Sequence, residues 1–125
     1  MKQIINTKNA PSAIGPYSQA VLINGTLYTS GQIGLNPETN TLEIEDLNHE
    51  TNLVMKNLKA VLNAADLDFN SVIKTTISLK NMDDFSKVND IYASYFEKDF
   101  PARETVQVAK LPLDVNVEIS MIAIK

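Results

Sequence analysis

The sequence predicts an α+β fold in which two helices pack on one face of a single β-sheet. Two stretches carry apolar residues at helical spacing, and a short run with the alternation of a β-strand lies between them. Further β-prone runs precede the first helix and follow the second. Consistent handedness of the crossover connections would place both helices on the same face of the sheet.

The first predicted element is a β-hairpin. Two β-prone runs, residues 20–23 and 26–30, flank Asn24-Gly25, which is the strongest two-residue hairpin signal. All four glycines lie in the first third of the chain, so the loops there are expected to be tight. The segment 29–34 is predicted to leave the strand as a loop, with a turn at Asn36-Pro37.

Two amphipathic helices are predicted next. The first covers about residues 47–65, with Asp46 or Asn48 as its N-cap. The second begins at residues 81–84 and ends at Phe100-Pro101, because the residue before a proline disfavours the helical region. The apolar stripes are Leu47, Thr51, Val54, Met55, Leu58, Val61, Leu62 and Ala65 in the first helix, and Phe85, Val88, Ile91, Tyr92, Tyr95 and Phe96 in the second.

One strand is predicted between the helices and two after them. In residues 71–79, one face would carry Ile73, Thr75, Ile77 and Leu79, and the other Val72, Lys74, Thr76 and Ser78. The last two strands are residues 104–109 and 115–124, separated by a turn at Leu111-Pro112. In the final strand, Val115, Val117, Ile119, Met121 and Ala123 can face the helices, and the opposite row is Asn116, Glu118, Ser120, Ile122 and Ile124.

The sheet face opposite the helices lacks a cover of its own. Its row in the last strand is apolar at one end, at Ile122 and Ile124, and no third helix is predicted to lie over it. Association with identical chains would bury this face between subunits. Loops could provide part of the cover.

Composition limits the classes of function. A length of 125 residues predicts a single domain, 1–125. The absence of cysteine removes disulfides and thiolate chemistry, and a lone histidine, His49, cannot form a multi-histidine metal site within one chain. The net charge of −4 and the scattered basic residues argue against a nucleic-acid groove or an anionic membrane surface. No signal peptide or membrane span is recognisable, so a cytoplasmic location is expected.

Arg103 is the only arginine among the eleven basic residues. Its planar, permanently charged fork suits bidentate binding of a carboxylate, whereas lysine suffices for solvation. It follows Phe100-Pro101-Ala102 at the start of a predicted strand, where rigid backbone would preorganise an anion clamp. A structural salt bridge at the end of the helix would explain the same residue equally well.

Other polar residues have both an ordinary and a functional interpretation. Glu118 is either a solvent-facing carboxylate or a half-buried one at a subunit interface, where burial would raise its pKa and make it a usable base. Tyr17 in a Gly-Pro turn is either a packing residue or part of a site. Ser30-Gly31 could admit a ligand close to the backbone or form a common loop. Asn89 beside the second helical stripe would by default be solvated, and His49 is expected to be exposed.

Several segments of the chain resemble the RidA (YjgF) family of reactive-intermediate deaminases. The similarity runs nearly end to end in matching order, and the segments together are highly specific. They are Asn9-Ala-Pro-Ser-Ala-Ile-Gly-Pro-Tyr-Ser18, Tyr28-Thr-Ser-Gly-Gln-Ile33, Val72-Ile-Lys-Thr-Thr-Ile77, Met82-Asp-Asp-Phe-Ser-Lys-Val-Asn89, Phe100-Pro-Ala-Arg103, Leu111-Pro112 and Val117-Glu-Ile119.

The resemblance implies a chorismate-mutase-like fold with a single mixed sheet, assembled as a homotrimer with sites between subunits. It implies hydrolysis of 2-imino acids, 2-iminobutanoate and 2-iminopropanoate, to 2-oxo acids and ammonia. These imines are tautomers of 2-aminocrotonate and 2-aminoacrylate, which pyridoxal-phosphate-dependent dehydratases release. The reaction needs no cofactor and no metal, and the partners are small carboxylates rather than nucleic acid or membrane.

The resemblance also implies roles for individual residues. The arginine matching Arg103 grips the substrate carboxylate, and the glutamate matching Glu118 positions and activates water. The expected catalytic residues are Arg103, Glu118 and Tyr17, and the expected substrate-binding residues are Ser30, Gly31, Asn89 and Thr105. Relatives usually carry a small residue where this chain has Glu104, which would compete for the guanidinium if it faced the site. Strand alternation is expected to place it on the opposite face.

A second interpretation is a non-catalytic trimer that binds 2-oxo acids or docks on a metabolic enzyme or regulator, with a regulatory or chaperone-like role. Retention of both Arg103 and Glu118 favours the enzyme, because a pure scaffold would not require the pair. Ribonuclease activity, also assigned in the superfamily, has the least support, because an acidic chain with one histidine offers neither an RNA groove nor a general acid/base pair.

Overall fold

A computed structural model describes all 125 residues. Two helices pack on one mixed sheet of six strands, which confirms the predicted α+β class. The elements are β1 (Gln3–Ile5), β2 (Ala20–Ile23), β3 (Thr26–Thr29), β4 (Leu35–Asn36), β5 (Thr41–Leu42), α1 (Leu47–Ala64), β6 (Val72–Leu79), α2 (Phe85–Ala93), β7 (Ala102–Gln107) and β8 (Val117–Ile124).

The strand order across the sheet is β1-β2-β3-β8-β6-β7. β6 and β7 run parallel, joined by the crossover through α2, and the other neighbouring pairs are antiparallel. β4 and β5 form a separate two-stranded ribbon that the sequence did not predict, and β1 was also missed. No helix combines the length and the apolar character that crossing a bilayer requires.

The β2–β3 hairpin turns at Asn24-Gly25, as predicted. Both residues have positive φ, 50° and 78°, which is the backbone that a tight two-residue turn between twisted strands requires. α1 covers Leu47–Ala64, close to the predicted range, and its N-cap is Asp46, whose carboxylate accepts from the backbone N–H of His49 at 3.3 Å. The apolar side chains of α1 pack with those of the sheet in one hydrophobic core.

α2 is shorter than predicted, because it ends at Ala93 rather than continuing to Phe100-Pro101. The Ser94 hydroxyl donates to the carbonyl of Ile91 at 2.5 Å, a local bond that competes with continuation of the helix. Phe96 beyond the helix still packs against Tyr92, with ring centroids 4.8 Å apart. The apolar periodicity therefore extends beyond the end of α2 into residues that form turns and still pack against the core.

The predicted faces of β6 are wrong at its start. A β-bulge between Val72 and Lys74 shifts the pairing with β8, so Val72 is 5% exposed and Ile73 is 45% exposed. An extra residue in one strand reverses the alternation on one side of it. β8 follows the prediction, since Val117 and the alternate residues after it are buried beneath the helices.

The sheet face away from the helices carries several large apolar side chains. They are 44–48% exposed and project from four adjacent strands, and they are Tyr28, Ile73, Val106 and Ile124. The same face includes the Glu118 row of β8 and an ion pair between Lys74 and Glu104. We refer to this surface as the open face.

Candidate active site

Arg103 lies on the edge strand β7 with its side chain toward α2. Its Nη1 donates to Oδ1 of Asn89 at 2.8 Å, and its guanidinium carbon stands 5.2 Å from the ring centroid of Tyr92 and 5.5 Å from that of Phe85. Cation–π contacts with two rings restrain the guanidinium without using its N–H groups. The charge forms no ion pair within the chain, so the salt-bridge interpretation of this arginine is wrong.

The rings beneath Arg103 are themselves fixed. The Tyr92 hydroxyl donates to Oγ1 of Thr75 at 2.9 Å, and Thr75 is fully buried on β6 directly opposite Arg103. Burial raises the pKa of Tyr92, so the phenol remains a neutral hydrogen-bond donor. β6, β7 and α2 thus converge to hold one guanidinium beside a cavity of about 380 Å³, which is lined by Asn89, Tyr92, Ala93, Phe100, Pro101 and Arg103.

Glu118 lies in a second, larger cavity of about 670 Å³. Its side chain is partly buried and makes no hydrogen bond or ion pair within the chain, and burial raises the pKa of its carboxyl group. Tyr17, Ser30 and Gly31 line the same cavity. A carboxylate that is desolvated and without a partner is a stronger base than an ordinary surface glutamate.

Gly31 is required by the close approach of Glu118. A Cβ atom at this position would lie 2.7 Å from Cδ of Glu118 and 2.8 Å from its Cγ. The next residue, Gln32, exchanges backbone hydrogen bonds with Ile119, so the loop is bound to β8 beside Glu118. Gly31 therefore serves the site by leaving room for the carboxylate.

Tyr17 and Ser30 belong to adjoining loops. The Ser30 hydroxyl donates to the carbonyl of Ser18 at 2.6 Å and thereby ties the loop of Tyr17 to the end of β3. Tyr17 is 53% exposed at the cavity, and its ring lies against Gly15. The Ser30 hydroxyl is thus already committed to the fold, whereas the Tyr17 hydroxyl has no partner in the chain.

The predicted site residues fall into two groups within one chain. Arg103 and Asn89 line the first cavity, while Tyr17, Ser30, Gly31 and Glu118 line the second, and no residue lines both. Thr105 lines neither cavity. It lies two residues after Arg103 on β7, and its hydroxyl is buried without a hydrogen-bond partner.

The remaining predicted polar residues lie outside both cavities. Glu104 is on the face opposite Arg103, as expected, where its carboxylate contacts Nζ of Lys74 at 2.6 Å. His49 is exposed, as expected, and contacts Glu43 at 2.5 Å. This hydrogen bond is the main cause of the lowered pKa of Glu43. No three His, Asp or Glu side chains converge where they could hold a metal ion.

Three buried polar side chains that form hydrogen bonds to loop and strand backbone were not predicted from the sequence. Gln19 bonds the backbone of residues 7–11, and Asn57 donates to the carbonyls of Ile33 and Leu35. Glu50 accepts hydrogen bonds from Asn116. A signal existed for Glu50, because it lies three residues after Leu47 and four before Val54, on the buried side of the helix.

Comparison with known proteins gives consistent similarities over nearly the whole chain. The family model described as Endoribonuclease L-PSP matches residues 7–125. A Homo sapiens protein named 2-iminobutanoate/2-iminopropanoate deaminase is 46% identical over 125 residues, covering 100% of this chain and 91% of the human one. The crystal structure of YyfA from Yersinia pestis, of the conserved Rid protein family, has a TM-score of 0.98 at 52% identity and covers 100% of both chains. The E. coli TdcF structure with bound serine has a TM-score of 0.94 at 39% identity and covers 98% of both chains.

Proposed function

The chain belongs to the RidA family, and we propose that it hydrolyses 2-imino acids to 2-oxo acids and ammonia in sites formed between the subunits of a homotrimer. Imine deaminases are represented in the family by the human relative. The observation that carries the proposal is the pair of unsatisfied charges. Arg103 and Glu118 each line a cavity, neither has a charged partner, and each cavity holds half of the expected site.

Arg103 is proposed to bind the substrate carboxylate. Asn89 occupies one donor of the guanidinium, and the others remain for two parallel N–H···O bonds. Contacts with the rings of Tyr92 and Phe85 hold the fork in place before the substrate arrives, which reduces the cost of orientation. E. coli TdcF, whose structure contains bound serine, shows that a protein of this fold holds a small molecule with a carboxylate.

Glu118 is proposed to activate the attacking water. As water adds to the carbon of the protonated imine, a C–O bond forms, the C=N π electrons move to nitrogen, and one water proton passes to the carboxylate. Glu118 returns this proton to the nitrogen of the resulting carbinolamine, the C–N bond breaks as the hydroxyl proton is released to solvent, and ammonia leaves with the 2-oxo acid as the second product. The raised pKa of Glu118 makes its carboxylate a stronger base for the first of these transfers. 2-Iminobutanoate and 2-iminopropanoate are the proposed substrates.

The open face is proposed to be the subunit interface. It exposes Tyr28, Ile73, Val106 and Ile124 from four adjacent strands, and burial of these apolar side chains would favour association. Glu118 projects from the same face of β8. Burying this face against a neighbouring chain would bring its cavity toward the Arg103 edge of that neighbour, which would unite the two halves of the site.

The decisive experiment is a coupled assay with a threonine dehydratase that releases 2-aminocrotonate. Adding this protein should accelerate loss of the imine absorbance and formation of 2-oxobutanoate, without added metal or cofactor. Binding of 2-oxobutanoate without any acceleration would favour the non-catalytic interpretation. Light scattering in the same buffer should give three times the chain mass of 13.8 kDa. A monomer would contradict the proposed site.

A further inference from the structure

Glu50 is a fully buried carboxylate in the first turn of α1, with an exposure of 0%. An acidic side chain is almost never buried completely unless its oxygens are satisfied. No cation contacts it, and burial is the main reason that the pKa of Glu50 is raised. The reaction proposed above makes no use of this residue. Its partners therefore indicate why the fold accommodates it.

Both oxygens of Glu50 accept hydrogen bonds from Asn116, the residue directly before β8. The backbone N–H of Asn116 donates to Oε2 at 2.9 Å, and its side-chain amide donates to Oε1 at 2.7 Å. The carbonyl of Asn116 in turn accepts from the backbone N–H of Lys80 at 3.0 Å. Asn116 is thus fixed between α1 and the end of β6. Glu118 is only two residues further along the chain.

A single loop connects the two carboxylates. At Gly31 an added Cβ would lie 2.7 Å from Cδ of Glu118, and at Gly34 it would lie 2.8 Å from Cγ of Glu50. The loop between these glycines is held from above by Asn57, which donates to the carbonyls of Ile33 and Leu35 at 3.1 and 3.0 Å. Glu50 and Glu118 therefore pack against opposite ends of the same clamped loop.

We infer that Glu50 is a positioning residue that acts through Asn116 and the 31–34 loop to hold Glu118 at the reacting centre. The inference rests on the proposed function in that Glu118 is the proposed base. Glu50 touches neither cavity and is not itself a catalytic residue. Its role is to keep the start of β8 and the loop over it in one arrangement, because a small displacement of a reacting group lowers the rate steeply.

The test compares Glu50→Ala with Glu50→Gln. Loss of the acceptor in Glu50→Ala loosens the start of β8 and admits water to Glu118, so the pKa of Glu118 should fall toward that of an ordinary glutamate. The kcat for imine hydrolysis should fall about tenfold to a hundredfold, with KM little changed because Arg103 holds the carboxylate. Glu50→Gln keeps the shape of the side chain and one acceptor oxygen. The side-chain amide of Asn116 can rotate so that its oxygen accepts from the new NH2 group. The Glu50→Gln variant should therefore have a kcat and a Glu118 pKa close to those of wild type.

The pKa of Glu118 is read by NMR titration of its side-chain carboxyl carbon, which requires no activity. Failure of wild type to hydrolyse the imine would refute the proposed function, while the titration would still test the role of Glu50. Val61→Ala is the matched control, because Val61 is fully buried on the same helix but lies in the core. It should lower Tm and leave the Glu118 titration unchanged.

A second variant covers the case in which Glu50→Ala does not fold. Gly34 has no positive φ, so Gly34→Ala adds only a methyl group against Cγ of Glu50. It should shift the Glu118 titration in the same direction as Glu50→Ala. An unchanged titration in the folded variants would overturn the inference. An equal shift in Val61→Ala would overturn it too, because general loosening of the fold would then explain the effect.

Discussion

Replacement of Arg103 by lysine should abolish most of the imine hydrolysis, nearly as completely as replacement by alanine. Lysine keeps the positive charge, but it has neither the planar fork nor the two parallel donors. In the structure the guanidinium uses one donor on Asn89 and lies within cation–π distance of the rings of Tyr92 and Phe85. An ammonium group could use Asn89 or the substrate, but it would not stack in the same way.

The expected magnitude follows from the contacts that are lost. A charge-assisted hydrogen bond contributes about 1.5–3 kcal/mol, so loss of the bidentate arrangement should cost about one to two decades in kcat/KM. Misorientation of the imine relative to Glu118 adds to this loss. The assay is the coupled dehydratase reaction, with initial rates measured over a range of dehydratase flux and at fixed concentration of the variant.

The control is an exposed cation remote from both cavities, Lys59→Ala on α1, which removes the same charge and should leave the rate unchanged. Both Arg103 variants should retain the wild-type assembly by light scattering, because Arg103 is not part of the hydrophobic core. A lysine variant that works at near wild-type rate would show that charge alone suffices, and the clamp reasoning would then be refuted.

Four further predictions concern the residues around the two cavities. Glu118→Gln should reduce turnover while 2-oxo acid binding persists. Because burial raises the pKa of Glu118 in the folded state, its charge costs stability above that pKa, so the variant should have a higher Tm at pH 7, and this difference should vanish as the pH falls below the ordinary glutamate pKa. The wild-type kcat/KM should correspondingly fall as pH drops through this raised value, and a flat acid limb would contradict the role of Glu118 as base. Gly31→Ala should lower kcat about tenfold or more with little change in Tm, because the new methyl displaces the Glu118 side chain; unchanged kcat would contradict the close approach. Tyr92→Phe should lower Tm by a few degrees through loss of the bond to Thr75, about 1 kcal/mol, yet retain activity because the ring beneath Arg103 remains; a large loss of activity would show that the hydroxyl takes part.

The parts of the fold that depend on local patterns could be predicted from the sequence. Asn24-Gly25 specifies its turn by positive φ, α1 follows from its apolar spacing and cap, and the alternation in β8 identifies the buried row. Alternation along β7 likewise predicted that Glu104 lies on the opposite face of the strand from Arg103. In each of these, the residues that decide the structure are neighbours in the chain.

The errors had both distant and local causes. The bulge that exposes Ile73 is set by pairing with β8, and the end of α2 is set by the Ser94 hydroxyl and by aromatic packing after the helix. The short β4–β5 ribbon has too few residues for a periodic signal. Glu50 was overlooked because its partner Asn116 is distant in sequence, although its place on the buried helix face was visible.

The candidate site was predicted residue by residue and was expected between subunits, but which of its residues share a cavity was not predicted. A resemblance places Arg103 and Glu118 in one site without saying which subunit supplies each. In the structure, Arg103 reaches its position through β7 and α2, whereas Glu118 reaches its own through β8 and the Gly31 loop. Only the three-dimensional arrangement reveals that one chain keeps them apart.

Subunit complementation between Arg103→Ala and Glu118→Gln therefore tests whether the site is shared. Each variant alone should be inactive, and each should still assemble. When the two are unfolded together in equal amounts and refolded, random assembly places a wild-type Arg103 from one chain against a wild-type Glu118 from its neighbour in about a quarter of the sites. The mixture should then recover about a quarter of the wild-type rate. A mixture that remains as inactive as its two components, in light-scattering-verified mixed trimers, would contradict a site built from two subunits.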